Sequence, residues 1–179
     1  ATLTDAGIQE LAWDGVYTLL FEGLSSTGDS TSYQFNVQPI TDLTLPLVVG
    51  DTATGTFGHA GQRHLYEVTL AAPSRLVFDA LAGVAGLRWS LTGPQGEVVS
   101  LRSFTASDSA DLTDNPLLLL PAGAYTLIID PDGDLGGDYG FRLLDLDAAT
   151  PLVLGATVNG TLPTGRETLI YRIDAAGRE

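Results

Sequence analysis

The chain has 179 residues and a formal charge of −14; its eight basic residues are all Arg, against sixteen Asp and six Glu. Phosphate binding needs clustered Lys and Arg, so such a surface repels nucleic acid and anionic membranes. The absence of Cys excludes disulfides and thiolate chemistry, and no apolar run approaches the ~18 residues of a spanning helix.

In chain order, Asp5 to Leu11 is compatible with one or two helical turns, and the apolar run Val16 to Phe21 reads as a central strand. Tyr33, Phe35 and Val37, with Gln34 and Asn36 between, alternate with period two. The same alternation recurs in Tyr66, Val68 and Leu70, in Leu76 and Phe78, and in Leu87, Trp89 and Leu91. Gly93-Pro94-Gln95-Gly96 is a tight-turn signal, and Pro121-Ala122-Gly123 is another. Tyr125 to Ile129 again reads as a central strand, followed by alternation in Tyr139, Phe141, Leu143 and in Leu169, Tyr171, Ile173. One apolar face per strand is the pattern of antiparallel sheets half-buried in a sandwich. The fold class is all-β.

Several of these elements are copies of one another. Gly15-Val16-Tyr17-Thr18-Leu19-Leu20 reappears as Gly123-Ala124-Tyr125-Thr126-Leu127-Ile128, an offset of 108, and Tyr33-Gln34-Phe35 reappears as Tyr139-Gly140-Phe141, an offset of 106. Leu47-Val48-Val49-Gly50 returns as Leu152-Val153-Leu154-Gly155, and Tyr66-Glu67-Val68 as Tyr171-Arg172-Ile173, both at 105. A period of that length holds a whole domain with its own core. The expected organisation is the second half of a repeat in residues 1–42, a complete β-sandwich repeat in 43–148, and the first part of the next repeat in 149–179. The phase fits a piece of a longer array.

The complete unit runs Gly55-Thr56, Leu65-Tyr66-Glu67-Val68, Leu91-Thr92-Gly93-Pro94-Gln95-Gly96, Leu120-Pro121-Ala122-Gly123-Ala124-Tyr125-Thr126-Leu127 and Gly137-Asp138-Tyr139-Gly140-Phe141. This order resembles the bacterial pre-peptidase C-terminal domain family and its relatives repeated in large, adhesin-type surface proteins. The resemblance covers roughly residues 50–146 and implies a jelly-roll-like β-sandwich of about eight strands. It further implies an accessory or collagen-binding module beside a secreted peptidase, often with calcium, or a repeated unit of a long adhesin. Where the family places Asp-Tyr ahead of the opening strand, this chain has His64-Leu65-Tyr66.

The best chemical candidate is the loop holding Asp130, Asp132, Asp134 and Asp138, whose carboxylates, spaced by Gly and Pro, offer hard oxygen ligands to Ca²⁺. It is not an EF-hand, since Leu135 and Phe141 occupy the required Gly and bidentate Glu positions. The other reading of the loop is a solvated hairpin turn, and the corresponding stretch Glu22 to Ser32 has only Glu22 and Asp29. A second acidic cluster is Asp108, Asp111 and Asp114, and Asp145 with Asp147 flanks the repeat junction. Trp89 is in phase with Leu87 and Leu91 and reads as core, whereas Trp13 reads as an exposed aromatic.

No catalytic constellation is present: His59 and His64 lack zinc-site spacing, and there is no nucleophile elbow or P-loop. The chain reads as a non-catalytic extender repeat of a large secreted or cell-surface bacterial protein. The alternative is a calcium-assisted module that binds glycan or protein beside a secreted enzyme such as a peptidase. Neighbouring repeats are the expected partners, and head-to-tail self-association follows if the incomplete repeats pair with each other.

Overall fold

The computed structural model describes residues 9–22, 32–108, 115–133, 135–163 and 165–174. The chain divides into two compact units, residues 1–39 and 40–179.

In the second unit, nine strands form a two-layer sandwich. One sheet has the order β1 (Leu43–Pro46), β3 (His64–Leu70), β8 (Gly123–Pro131), β5 (Leu87–Gly93), β6 (Gly96–Ser103). The facing sheet has the order β2 (Ala53–Thr56), β9 (Asp138–Asp145), β4 (Ser74–Ala80), β7 (Leu118–Leu120). Pairing is antiparallel throughout except between β1 and β3, which run parallel. The period-two pattern has the expected physical result. Tyr66, Val68, Phe78, Trp89, Leu91, Tyr125, Leu127, Tyr139 and Phe141 are all buried in one continuous core.

An aromatic stack ties the layers together. Trp89 lies flat on Phe78 at 4.2 Å between ring centres, Phe78 stacks on Phe141 at 5.2 Å, and Phe104 meets Phe78 edge-on at 5.3 Å. Offset and edge-on ring pairs each contribute about 0.5–1.5 kcal/mol beyond their area. Trp89 also donates its indole N–H to Ser107 Oγ at 2.7 Å, so its one polar atom is satisfied in the core.

Turn chemistry sets the connections. Gly93 pairs with Gly96 to close the β5–β6 hairpin, and Gly96 takes a φ of +101°, which a side chain would resist. Pro121-Ala122-Gly123 is a corner that carries the chain from β7 in one sheet to β8 in the other, rather than a turn within a sheet. Likewise the segment after Asp130 is not a hairpin: β8 and β9 belong to different sheets, so it crosses the end of the sandwich. Local sequence signals a reversal but cannot say which sheet receives the next strand.

Beyond the sandwich, a 3-10 turn at Leu146–Ala148 leads to β10 (Thr150–Leu152), which pairs in parallel with β11 (Tyr171–Ile173). Leu45 pairs with Tyr66 and Pro46 with Glu67, while Thr150 pairs with Tyr171 and Pro151 with Arg172. An offset of 105 carries both partners of the first pairs onto those of the second. The turn that follows is reproduced as well. Asp51 N–H donates to Val48 O and Ala156 N–H to Val153 O, with φ of +92° at Gly50 and +84° at Gly155.

The first unit departs from expectation. Val16 to Phe21 and Tyr33 to Val37 carry no regular strand, and residues 9–11 are not helical; Asp5 to Ile8 lie outside the described residues. Two strands without a third are marginal in water, and among the described residues of this unit no further strand is available to them. Phe21 nevertheless stacks on Tyr33 at 5.4 Å and on Phe35 at 4.5 Å, so the apolar sides of the two segments meet.

Candidate functional site

Of the acidic residues expected to converge on a cation, Asp132 and Asp138 each have a separate protein partner. Asp130 closes β8 and is half-buried, and loss of hydration raises its carboxyl above the usual range, partly offset by Arg63. Asp132 accepts a two-pronged bond from Arg88, Nε to Oδ1 at 2.8 Å and Nη2 to Oδ2 at 3.2 Å. Asp138 Oδ1 accepts from the Thr56 hydroxyl across the β2–β9 pair at 2.5 Å. Asp134 lies outside the described residues. Among the described residues no group of three or more His, Cys, Asp or Glu is placed to hold a metal.

Asp108, Asp145 and Asp147 bond to the chain itself. Asp108 accepts from the Ala80 N–H at 2.7 Å, whereas Asp111 and Asp114 lie outside the described residues. Asp145 caps the 3-10 turn by accepting from Asp147 N–H, and Asp147 pairs with Arg75 at the surface. Trp13 is exposed, with Tyr17 folded back to donate its hydroxyl to the Trp13 carbonyl at 2.7 Å.

Two buried polar centres were not assigned by the sequence pattern, one inside the sandwich and one on the outer face of a sheet. The first is built on His64, 1% exposed, the leading residue of β3. Its Nδ1 lies 2.5 Å from the Tyr139 hydroxyl, which lies 2.9 Å from that of Tyr66, and the network is consistent with a neutral ring. Burial drives the imidazole below its ordinary range and pushes both phenols up. Phe57 covers the imidazole at 4.7 Å. Gly55 lies so close that an added Cβ would sit 2.5 Å from the Tyr139 oxygen, which is why β2 has glycine there. These groups form one hydrogen-bonded chain of His64, Tyr139 and Tyr66.

The second centre is Asp79, wholly buried on β4. Its Oδ2 accepts from Arg142 Nε at 2.9 Å and from Nη2 at 2.5 Å, and its Oδ1 accepts from the Thr168 N–H at 3.1 Å. Arg142 also donates to the Thr168 carbonyl. The pair therefore anchors the segment leading into β11 to the outer face of the β4–β9 pair. A charged residue inside the apolar run Leu76 to Ala80 was the available sequence signal.

The remaining surface features are strand edges. The sandwich blunts its own: β1 ends in Pro46, β2 and β7 are short, and β6 is bulged, with Leu101 at a φ of +42°. A shallow apolar groove between Pro73–Arg75 and Leu119–Pro121 has a volume of about 490 Å³. By contrast β11 is exposed along its length and, among the described residues, has a strand partner on one side only.

No protein-family model matches the chain, and no curated protein does. Among solved structures it is similar to PliG of Salmonella Typhimurium, a periplasmic inhibitor of g-type lysozyme, at 15% identity and a TM-score of 0.45, covering 57% of this chain and 98% of that one. PliG of Aeromonas hydrophila gives 11% identity and a TM-score of 0.38, covering 59% and 99%. The pre-peptidase C-terminal domain of a Bacillus anthracis collagenase gives 16% identity and a TM-score of 0.34, covering 60% and 99%. Likenesses this distant transfer no function.

Proposed function

We propose that the chain is part of an array of β-sandwich repeats and acts as a non-catalytic extender in a large secreted or cell-surface bacterial protein. The observation that carries this reading is the duplicated parallel pairing. Strands β1 and β3 recur as β10 and β11 in the same register at an offset of 105, with the following turn repeated. A similar sequence can arise from shared composition, but a shared parallel register with a shared left-handed glycine requires the same local structure twice. The Asp79–Arg142 pair supports the reading from another side, because it holds the entry to the next unit against the sandwich. A buried, hydrogen-bonded charge pair is directional, and a directional junction suits a spacer that keeps its orientation.

The alternative, a calcium-assisted glycan- or protein-binding module, would draw on the Asp130–Asp138 loop. Its carboxylates are already engaged at Asp132 and Asp138, which favours the extender.

The test is mechanical unfolding of the full-length secreted product. A repeat of about 105 residues extends by roughly 350 Å when pulled straight, at about 3.3–3.6 Å per residue. Equally spaced force peaks with that increment are expected. A single unfolding event without repeated increments would overturn the reading.

A further inference from the structure

One main-chain N–H ahead of β3, and its copy ahead of β11, are both held by a carboxylate, but from different places. In the complete sandwich Asp42 Oδ1 accepts the Arg63 main-chain N–H at 3.1 Å, and Asp42 Oδ2 accepts Nε and Nη2 of the same arginine at 3.1 and 2.5 Å. An offset of 105 carries Arg63 to Thr168 and Asp42 to Asp147. Thr168 has no guanidinium, and Asp147 pairs with Arg75 instead. There Asp79 Oδ1 accepts the Thr168 N–H at 3.1 Å, and Asp79 Oδ2 accepts Nε and Nη2 of Arg142 at 2.9 and 2.5 Å. The same fork is rebuilt from two residues of the preceding sandwich.

We infer that Asp79 and Arg142 are a clasp with which this sandwich grips the loop ahead of β11 in the repeat that follows, whereas the complete repeat secures the same loop by itself through Asp42 and Arg63. This rests on the repeat reading above. Arg142 completes the grip by donating to the Thr168 carbonyl, so the N–H and C=O of one residue are both held. The clasp reads main chain. It therefore selects for position and direction of the incoming loop, and needs of residue 168 only that it bring no arginine fork of its own.

The surroundings are built for this contact. Val77 and Asp79 alternate with the core residues Leu76, Phe78 and Ala80 and so point away from the core, yet they are only 7 and 0% exposed. The side chains of Arg142 and Asp79 are 18 and 0% exposed, against 47 and 25% for Arg63 and Asp42. Charge-assisted bonds strengthen as water is withdrawn, so the fork between repeats is the stronger of the two. Beside it the Arg166 guanidinium lies against Gly83, where an added Cβ would sit 2.5 Å from Nη2. The copy of Arg142 in the first partial repeat is Asn36, which has no guanidinium to offer. Arg142 thus goes with Thr168 ahead of β11, and Asn36 with Arg63 ahead of β3: where the preceding copy lacks the arginine, the following loop supplies its own.

Amide hydrogen exchange followed by NMR on the 179-residue chain reads both forks in one spectrum. Asp79→Leu with Arg142→Leu removes both charges together, so neither is left buried alone. The expected result is a Thr168 amide that exchanges roughly 10- to 100-fold faster, the loss of a bond to a charged group, with the Arg63 amide unchanged and the β8 amides still protected. Asp42→Ala should do the reverse, speeding the Arg63 amide and leaving Thr168 as it was. If the Leu pair does not keep β8 protected, the neutral pair Asp79→Asn with Arg142→Gln is measured in its place, with a smaller acceleration in the same direction. A Thr168 amide that exchanges at the open-chain rate in the parent, or at the parent rate in the folded double variant, would overturn the inference. Equal unfolding increments in the full-length protein would then leave the array standing without the clasp.

Discussion

Phe141 and Phe35 occupy the same place in two copies of one motif, and truncating each to Ala separates burial from sequence. Phe141 is fully buried, stacked on Phe78 at 5.2 Å and met edge-on by Tyr66 at 5.0 Å. A buried Phe removes about 150–250 Å² from water, which at about 25 cal/mol per Å² is worth roughly 4–6 kcal/mol. Ala retains part of that area, and the cavity left behind adds to the loss, so F141A should cost about 3–5 kcal/mol. Phe35 is 52% exposed and stacks on Phe21 and Tyr33, so F35A should cost no more than about 1 kcal/mol. Urea unfolding in a W13F background leaves Trp89 as the sole reporter of the sandwich. With a slope of about 1.5 kcal/mol per molar urea, the F141A midpoint should fall by roughly 2–3 M while the F35A midpoint stays within about 0.7 M. Equal shifts for the two variants, or a loss below about 1 kcal/mol at Phe141, would refute the assignment of one copy to a closed core and the other to an open face.

Two further outcomes follow from the polar groups. Below about pH 6.5 the unfolded chain protonates the imidazole of His64 while the folded chain, with that ring desolvated, resists it, so stability should fall as pH drops from about 7 to 5. Asp42 opposes this by favouring the charged ring, and Asp130, raised by burial, gains stability on protonation as pH falls. The comparison is therefore with His64→Gln measured by urea at both pH values, and a slope that the variant leaves unchanged counts against the buried-imidazole account. With Asp132 bound to Arg88 and Asp138 to Thr56, melting curves in Ca²⁺ and in chelator should coincide; a calcium-dependent rise abolished by D132N with D134N would restore the ion.

Alternation and turn chemistry were enough to settle the all-β class and, within residues 64–143, the alternating strands and their inward faces. Tyr66, Trp89 and Phe141 follow from period two alone, because a pleated strand sends successive side chains to opposite faces whatever lies beyond them. The internal copies were legible for the same reason, since spacing is a property of the chain. Sheet membership was not legible. The corner at Pro121–Gly123 and the crossing after Asp130 read as turns within a sheet, and which layer receives the next strand depends on pairings formed by residues far away in sequence. Burial of His64 and Asp79 was decided by the same long-range pairings, which bring Tyr139 to the imidazole and Arg142 with Thr168 to the carboxylate. In the acidic loop composition pointed to hard oxygen ligands, but that Arg88 stands beside Asp132 and Thr56 beside Asp138 follows from the β5–β8 and β2–β9 pairings and not from the local sequence. Val16 to Phe21 shares Tyr-Thr-Leu and its apolar phase with β8 and yet carries no regular strand, because a strand is stabilised by its neighbours in the sheet, and neighbours are supplied by tertiary structure.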